Sequence, residues 1–343
     1  MKKNSLVLEE ALSLPYHLNN LFFKDKNDYE TISKLINSKK IKYIVTIARG
    51  TSDCAALFSS YLFAKYCNLP TYSLPPSIIT IEKSKFDFSQ ALVLVISQSG
   101  MGKDLIECER QVRKMGAKTI IICNNKNSPM SKKSTFFFNL YAEEEKSIAA
   151  TKSFVMTITV IIKLIFYSIN KNNINDEILK LSEFLIKNES NQWNANLINS
   201  EVDKGYIISR GIGHALANEI SLKFKELCYE LIEPFSSAEV LHGPKILIDK
   251  SFKLFVLQMN DKSGKNVISN SKEIIKYTNL YYIISSKQNY NNPYCYFKPN
   301  KKFDVLDSIQ IMTKFYPWII NYALNKNLNP DKPRYLSKVT QTY

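Results

Sequence analysis

Short runs of apolar residues alternate along the chain with longer segments whose apolar residues recur at helical spacing. Uninterrupted runs rich in Ile and Val are typical of strands that are buried on both faces of a parallel sheet. These runs predict strands over residues 41–48, 91–96, 117–123, 136–141, 205–209, 252–259 and 280–285. The longer segments predict helices within 1–40 and over 51–67, 103–115, 151–169, 176–188, 215–229, 265–276 and 305–325.

The alternation of strand and helix stops and begins again near residue 190. Strand–helix alternation predicts parallel sheets covered by helices on both faces, and the restart predicts a duplicated unit. A chain of 343 residues has room for two such domains. We therefore predict an α/β protein with N-terminal helices and a first domain in residues 1–188, a second domain in 189–326 and an ordered C-terminal tail in 327–343.

Two of the predicted strands run directly into short loops of hydroxyl side chains and glycine. The first strand ends in residues 49–52 (Arg-Gly-Thr-Ser) and the second in residues 97–100 (Ser-Gln-Ser-Gly). Because a helix follows each loop, the hydroxyls and the free N–H groups of the helix start can cradle a phosphate. An ordinary helix cap explains either loop alone, but two such loops in one half of the chain favour a phosphate site. The spacing is not that of a nucleotide-binding P-loop, and residues 211–213 (Gly-Ile-Gly) lack the third glycine of a dinucleotide fingerprint.

The formal net charge is +15, and the lysines are spread along the whole chain. An anionic partner would explain this charge, but a composition rich in Lys, Asn and Ile explains it more simply. We therefore expect no nucleic-acid partner. No apolar stretch reaches the roughly 18 residues that a membrane span needs, and the first residues lack the apolar core of a signal peptide. We expect a cytoplasmic protein with no membrane partner.

The six cysteines are scattered without a Cys-x-x-Cys pair, and the three histidines are far apart in the sequence. Metal sites are usually built from Cys and His residues that cluster at short spacings. Scattered cysteines within apolar segments are typical of buried, reduced thiols. The sequence therefore predicts neither a metal site nor a cofactor.

Several segments in a consistent order resemble the SIS (sugar isomerase) family, which includes the isomerase half of glucosamine-6-phosphate synthase and the SIS-type deaminases and deglycases. The loops at 49–52 and 97–100 resemble the sugar-phosphate loops of that family. Four further segments resemble its sugar-closing helix start, its catalytic helix, its histidine loop and its tail: 145–154 (EKSIAATKSF), 219–226 (EISLKFKE), 238–244 (AEVLHGP) and 333–338 (PRYLSK). The resemblance covers nearly the whole chain and implies two tandem SIS domains.

The resemblance implies a homodimer that binds a phosphorylated amino sugar. It implies substrate contacts at Gly50, Thr51, Ser52, Ser97, Gln98, Ser99, Ile148, Ala149 and Ala150. It implies catalytic roles for Glu219, Lys223, Glu226, His242 and Lys338. Glu226 matches the base that moves a proton between C1 and C2, and Lys338 matches the lysine that contacts the sugar carbonyl. His242 matches the group that opens the sugar ring, which the neighbouring subunit contributes.

The spacing of Glu219, Lys223 and Glu226 is informative without the resemblance. On a helix, Glu219, Lys223 and Glu226 lie on one face at positions i, i+4 and i+7. Such a group is most often a solvated helix face that carries an ion pair. Here apolar residues between them predict a partly buried helix, and together with the resemblance this favours a functional role.

One position departs from the pattern of the family. The family usually has Thr or Ser three residues after the position of Ser99, where this chain has Gly102. One hydroxyl contact to phosphate is therefore missing, and the neighbouring Lys103 is a candidate for the charge that replaces it.

The start of the chain suggests the direction of the reaction. The first predicted strand begins at residue 41, and no cysteine precedes Cys54, so the glutaminase domain of the synthase is not expected. An isomerase half without that ammonia source indicates a deaminase, which converts glucosamine 6-phosphate and water to fructose 6-phosphate and ammonia. The alternatives are a SIS enzyme that acts on galactosamine 6-phosphate or fructosamine 6-phosphate, and a non-catalytic sugar-phosphate sensor.

Overall fold

The computed structural model describes residues 5–21, 25–132, 134–188, 193, 201–286 and 294–338. The chain forms two compact units, each built around one parallel sheet. The first-sheet unit comprises residues 13–183 and 335–343, and the second-sheet unit comprises residues 1–12 and 184–334. The first helix of the chain, α1 (Leu6–Leu12), therefore belongs to the second-sheet unit.

The sheet of the first-sheet unit has five strands: β1 (Tyr43–Ile47), β2 (Thr71–Ser73), β3 (Ala91–Ser97), β4 (Lys118–Cys123) and β5 (Phe136–Asn139). All neighbouring strands are parallel, and their order is β2-β1-β3-β4-β5. The central strand β3 is buried along its whole length, as its uninterrupted apolar sequence predicts. The loop that follows it therefore lies at the middle of the carboxyl edge, where open parallel sheets bind ligands.

Helices of this unit connect the strands: α2 (Leu14–Asn20), α3 (Lys26–Asn37), α4 (Thr51–Leu62), α5 (Pro76–Thr80), α6 (Lys103–Lys114), α7 (Lys152–Ser168) and the greater part of α8 (Ile174–Lys187). Every residue of α7 is buried, because its sequence is apolar all round and it packs against α3 and α4. The core of the unit forms between the sheet and the apolar faces of these helices.

The second-sheet unit repeats this plan with five strands: β6 (Lys204–Ser209), β7 (Leu231–Ser236), β8 (Lys253–Leu257), β9 (Leu280–Ser285) and β10 (Tyr294–Tyr296). The order β10-β9-β8-β6-β7 is the order of the first sheet with each strand replaced by its counterpart, and all pairings are again parallel. The helices are α9 (Ile212–Lys223), α10 (Lys262–Ile275) and α11 (Asp307–Asn325). The predicted α/β fold with two parallel sheets and flanking helices is confirmed.

Three strands were not predicted, and each lies at a sheet edge. β2 and β10 are only three residues long, which is too short to give a periodic signal. β7 contains Pro234 and alternates buried with exposed positions, so it lacks the apolar run of a central strand. Proline is tolerated there because an edge strand has one side without ladder hydrogen bonds.

The compact units differ from the predicted domains at the ends of the chain. The Asp331 carboxylate caps the start of α1, because it accepts hydrogen bonds from the Val7 N–H at 2.9 Å and the Ser5 hydroxyl at 3.1 Å. α1 also packs against α11. Residues 5–12 therefore lie in the second-sheet unit, although their position in the sequence suggested the first domain. In the described part of the chain no helix is long and apolar enough to cross a membrane.

Candidate active site

The loop after β1 leaves open space beside its glycine. Gly50 caps α4 with φ of 53°, a left-handed conformation that favours glycine. None of the described residues lies within 4 Å of the position that a Cβ atom would occupy there. The predicted phosphate loop at Gly50, Thr51 and Ser52 thus has room for a ligand beside Gly50.

The loop after β3 is held by its own hydroxyls. Ser97 Oγ accepts a hydrogen bond from the Gly100 N–H at 3.1 Å, and Ser99 Oγ accepts one from the Met101 N–H at 3.2 Å. Gly100 has φ of 66°, and a Cβ atom there would lie 2.4 Å from Ser128 Oγ. Only glycine fits this position, so the sequence fixes the shape of the loop.

A cavity of about 830 Å³ opens beside the β3 loop in the first-sheet unit. It brings together three of the predicted site residues, Gln98, Ser99 and Lys338. Its wall does not include the predicted residues Gly50, Thr51, Ser52, Ser97, Ile148, Ala149 and Ala150. Polar and charged side chains dominate the rest of the wall: Asp25, Asn124, Asn125, Lys126, Asn139, Tyr141, Glu143, Glu144 and Glu145.

Glu145 organises the segment that resembles the sugar-closing helix start. Its buried carboxylate accepts hydrogen bonds from the Thr151 N–H at 3.0 Å, the Ser153 N–H at 3.1 Å and the Ser153 hydroxyl at 2.7 Å. Lys338 Nζ donates to the backbone carbonyl of Ser147 at 2.6 Å and lies 3.4 Å from Glu145 Oε2. These contacts fix the backbone on both sides of Ile148, Ala149 and Ala150.

Sequence reasoning missed the role of Glu145. An acidic residue six positions before the first N–H that it caps gives no local capping signal, since side-chain caps normally act over two or three residues. The available signal was its place within the segment 145–154, which resembles the family motif.

Three predicted acid–base residues, Glu219 and Lys223 on α9 and Glu226 in the turn that follows it, form one connected group in the second-sheet unit. Lys223 Nζ lies 3.3 Å from Glu219 Oε1 and 2.6 Å from Glu226 Oε2. The Tyr316 hydroxyl donates to Glu219 Oε1 at 2.9 Å. The side chains of Glu219 and Lys223 are fully buried, whereas that of Glu226 is 22% exposed. Glu226 is therefore the carboxylate that a substrate can reach.

The helix that carries this group has a counterpart in the first-sheet unit. α4 and α9 each follow the first strand of their sheet and begin after a glycine of positive φ. Each continues into a wider, π-helical turn, Phe63–Cys67 in one unit and Phe224–Cys228 in the other. Each turn ends at a left-handed residue. Because Phe63 and Phe224 begin equivalent turns, Leu62 corresponds to Lys223.

The counterpart helix buries apolar side chains where α9 buries charges. Phe58 and Leu62 occupy the positions of Glu219 and Lys223, and both are fully buried. A buried ion pair is often no more stable than apolar residues of similar volume, because desolvation offsets the attraction between the charges. The counterpart helix therefore shows that this fold does not require charged residues at the positions of Glu219 and Lys223.

Burial raises the pKa of the Glu219 carboxyl to about 7, against the opposing attraction of Lys223. The nearby Glu226 carboxylate adds to the upward shift. Glu219 thus exchanges its proton near neutral pH, which is the range in which acid–base groups act most effectively. Two carboxyls that share one lysine are therefore held in different environments, one buried and one open.

We expect the thermal stability of the protein to depend on Glu219 between about pH 5 and pH 7. The folded chain binds this proton more tightly than the unfolded chain, so the stabilisation is complete below the ordinary pKa of 4.5 and is lost as pH rises toward about 7. The midpoint of thermal unfolding should fall more steeply with pH in the wild type than in Glu219→Gln. Asp307, whose pKa burial also raises to about 7, acts in both proteins and cancels in the comparison. Parallel profiles would contradict the prediction.

His242 differs from Glu219 and Lys223 in being exposed. It ends a short 3-10 turn, Glu239–His242, and its side chain is exposed. The same loop exposes two apolar side chains, Ile246 at 86% and Leu247 at 62%. Exposed apolar side chains that lie side by side often mark a contact surface for another protein.

The described residues contain no group of three or more His, Cys, Asp or Glu side chains that could hold a metal ion. The site is therefore built from carboxylates, lysines, hydroxyls and backbone N–H groups. Such groups can bind a phosphate and move protons between neighbouring carbon atoms.

Comparison with known proteins identifies relatives of this chain. Residues 35–166 match the family model for the SIS domain. The isomerising glutamine–fructose-6-phosphate aminotransferase of Sulfolobus acidocaldarius is 31% identical over 322 residues, which cover 91% of this chain and 52% of that enzyme. The chain spans about half the length of the curated relatives that it matches.

Solved structures share the whole fold. The C-terminal domain of glucosamine-fructose-6-phosphate aminotransferase from Francisella tularensis has a TM-score of 0.80 at 23% identity, covering 97% of this chain and 99% of that one. Glucosamine-6-phosphate deaminase from Thermotoga maritima has a TM-score of 0.75 at 18% identity, covering 98% and 100%. Residues 35–166 thus match an SIS domain, and the whole chain shares the two-sheet fold of these structures.

Proposed function

We propose that the chain is an enzyme that moves a proton between C1 and C2 of a phosphorylated amino sugar, and that it deaminates glucosamine 6-phosphate. The observation that carries the proposal is the group Glu219–Lys223–Glu226, in which the buried Glu219 and Lys223 replace the apolar Phe58 and Leu62 of the counterpart helix. Burying these charges without a chemical use would cost stability and bring no structural gain.

Glu226 is the proposed base. Its partly exposed carboxylate takes the proton from C2 of the open-chain aldose, the electron pair of the broken C–H bond becomes the C1=C2 bond, and the C1 carbonyl oxygen takes up a proton from solvent, which gives an enolamine. Return of a proton to C1 gives a ketose with an imine at C2. Water then adds to C2, and ammonia leaves to give the ketose phosphate. Lys223, 2.6 Å from Glu226, holds the base in place.

Glu219 and Tyr316 are proposed to position Lys223 and not to contact the substrate. The Tyr316 hydroxyl and Lys223 Nζ both contact Glu219 Oε1, so the lysine is anchored on the buried side and presents its remaining charge to Glu226. We propose that this anchoring, and the near-neutral pKa of Glu219, let the group adjust its net charge during the reaction.

Lys338 and the β3 loop are proposed to bind the sugar phosphate in the first-sheet cavity. Gln98, Ser99 and Lys338 line the same cavity. Hydroxyls, an amide and a lysine provide the donors that a phosphate or an open-chain carbonyl requires. Thr51 and Ser52 at the open β1 loop are proposed to add further donors, and Ile148, Ala149 and Ala150 to close over the sugar.

The names of the relatives support a hexose phosphate substrate. The curated relative is an isomerising aminotransferase of fructose 6-phosphate, and one structural neighbour is a glucosamine-6-phosphate deaminase. Both names describe reactions that interconvert an amino sugar and a ketose phosphate. Galactosamine 6-phosphate, fructosamine 6-phosphate and a sensor without turnover are the alternatives.

A substrate panel tests the proposal. The purified chain is incubated with glucosamine 6-phosphate, galactosamine 6-phosphate, fructosamine 6-phosphate and glucose 6-phosphate, and ammonia and ketose phosphate are measured together. We expect the highest kcat/KM for glucosamine 6-phosphate, with equal amounts of both products. Higher kcat/KM for another sugar would change the substrate, and binding without turnover would contradict an enzyme.

We also propose a homodimer in which His242 completes the site of the partner subunit. The exposed apolar loop that carries His242 supports this arrangement. Glu226→Gln and His242→Ala are each expected to be inactive. A heterodimer of the two variants would have one intact site of two, so random exchange of subunits should restore about a quarter of wild-type activity. Mixing with no recovery, although subunit exchange is shown by mass measurement, would contradict the shared site.

A further inference from the structure

Arg49 is the last residue before the open glycine of the β1 loop, and its guanidinium is held by α6. Its Nε donates to Asp104 Oδ2 at 2.7 Å. The side chain of Asp104 is 5% exposed and that of Arg49 is 47% exposed. Asp104 lies in the first turn of α6, directly after the β3 loop. This pair therefore links the start of the β1 loop to the helix that follows the β3 loop.

The pair lies beside the position where this chain lacks a hydroxyl. A Cβ atom on Gly102 would lie 3.3 Å from Asp104 Oδ1. The two oxygens of one carboxylate thus face Gly102 on one side and the Arg49 guanidinium on the other. Lys103, which the sequence offered as a substitute, is exposed. The arginine is the better placed cation.

We propose that Arg49 is a phosphate-binding residue that replaces the missing hydroxyl at Gly102. This inference rests on the proposed function, since it assumes that the β1 and β3 loops bind a sugar phosphate. The bond to Asp104 uses one of the five N–H donors of the guanidinium, and the planar end group matches two phosphate oxygens. Asp104 fixes the side chain, so little conformational freedom is lost when the anion binds.

Two acidic side chains, Asp104 and Asp53, lie near the Arg49 guanidinium. Asp104 accepts from Arg49 and from the Leu105 N–H, so its charge is compensated before a phosphate arrives. Burial raises the pKa of Asp53, and Arg49 acts in the opposite direction, so Asp53 is a second acid near the guanidinium. The Arg49 guanidinium therefore lies near two carboxyl groups, of which Asp104 is the one it binds directly.

The counterpart loop in the second-sheet unit supports a specific role. Gly211 is the equivalent of Gly50, but a Cβ atom there would lie 2.7 Å from Ser263 Oγ, whereas the space beside Gly50 is open. The carboxylate at the start of α10, that of Asp261, caps its own helix by accepting a hydrogen bond from the Gly264 N–H at 2.9 Å. The Arg49–Asp104 pair and the open space occur together in one unit and not in the other.

The experiment compares Arg49→Ala and Arg49→Lys with a matched control, Arg113→Ala. Arg113 also lies in the first-sheet unit, and its Nε contacts the buried carboxylate of Glu109 at 3.1 Å, at the far end of α6. Fructose 6-phosphate and inorganic phosphate are titrated by calorimetry, and KM and kcat are measured for the substrate found in the panel. Calorimetry measures ligand binding and needs no turnover. It therefore tests the contact of Arg49 with phosphate even if the chain does not catalyse the proposed reaction.

We expect Arg49→Ala to weaken binding of both ligands by about 10- to 100-fold, as for the loss of charge-assisted hydrogen bonds. KM should rise in the same proportion while kcat changes less than about 3-fold, because the interaction is uniform through the reaction. The ligand affinity of Arg49→Lys should lie between those of the wild type and Arg49→Ala. The affinity of Arg113→Ala should match that of the wild type. Adding Gly102→Thr to Arg49→Ala should recover part of the affinity.

Two results would overturn the inference. One is equal affinity of Arg49→Ala and wild type for both ligands. The other is the absence of binding of either ligand to the wild type. If Arg49→Ala does not fold, Arg49→Lys decides, since it keeps the charge beside Asp104 and loses only the planar donor pair. A lysine variant with full affinity and unchanged KM would then contradict the proposed contact.

Discussion

Replacing Glu226 with glutamine should lower kcat by about two to four orders of magnitude, the usual contribution of a positioned acid–base group. Glutamine keeps the size and the hydrogen-bonding oxygen of the side chain but cannot take a proton from carbon. The 22% exposure of Glu226 predicts little loss of stability, so the protein should fold normally. Steady-state rates with the best substrate of the panel, measured beside thermal unfolding, check both parts.

A matched control separates the chemistry from the loss of an ion pair. Glu273 and Lys276 form an i, i+3 pair at 2.7 Å that closely resembles Lys223 and Glu226 in spacing but is exposed on α10. Glu273→Gln should leave kcat within about 2-fold of wild type, as surface ion pairs contribute little. A Glu226→Gln enzyme with comparable activity would remove Glu226 from the reaction.

Replacing Lys223 with methionine should destabilise the second-sheet unit by about 3–5 kcal/mol, the usual cost of removing one partner of a buried ion pair. The change leaves the fully buried Glu219 without its cation and Glu226 without its anchor. Both tryptophans of the chain, Trp193 and Trp318, lie in this unit 5.4 Å apart. Denaturant unfolding followed by tryptophan fluorescence therefore reports the affected unit.

A double variant identifies the cause of the destabilisation. Glu219→Gln added to Lys223→Met removes the uncompensated charge, so the double variant should be more stable than Lys223→Met alone. Lys276→Met on the exposed pair should change stability by no more than about 0.5 kcal/mol. If Lys223→Met were as stable as the wild type, Lys223 and Glu219 would not be energetically coupled.

Much of the fold could be predicted because local sequence determines it. The strand β3 is apolar throughout and is buried throughout, and the restart of the pattern near residue 190 corresponds to a second sheet with the same strand order. Helix limits were predicted to within a few residues, as for α6 over Lys103–Lys114. Short edge strands were missed, because their pairing partner and not their own sequence makes them strands.

The site was less predictable, because it depends on contacts between distant parts of the chain. Lys338 donates to Ser147, which precedes it by 191 residues, and only a family resemblance could suggest their proximity. The Arg49–Asp104 pair is separated by 55 residues and follows no motif that was recognised. The buried state of Glu219 and Lys223 was suggested by flanking apolar residues, but the contrast with Phe58 and Leu62 required the structure.

Solvent deuterium exchange is the most direct test of proton transfer between C1 and C2 by the Glu219–Lys223–Glu226 group. Fructose 6-phosphate is incubated with the protein in D₂O, with and without ammonium, and recovered sugar phosphates are analysed by mass spectrometry. Reversible proton transfer between C1 and C2 predicts that carbon-bound deuterium accumulates with the wild type and not with Glu226→Gln. Exchange at the wild-type rate in Glu226→Gln, or no exchange with any phosphosugar that the wild type binds, would contradict the account.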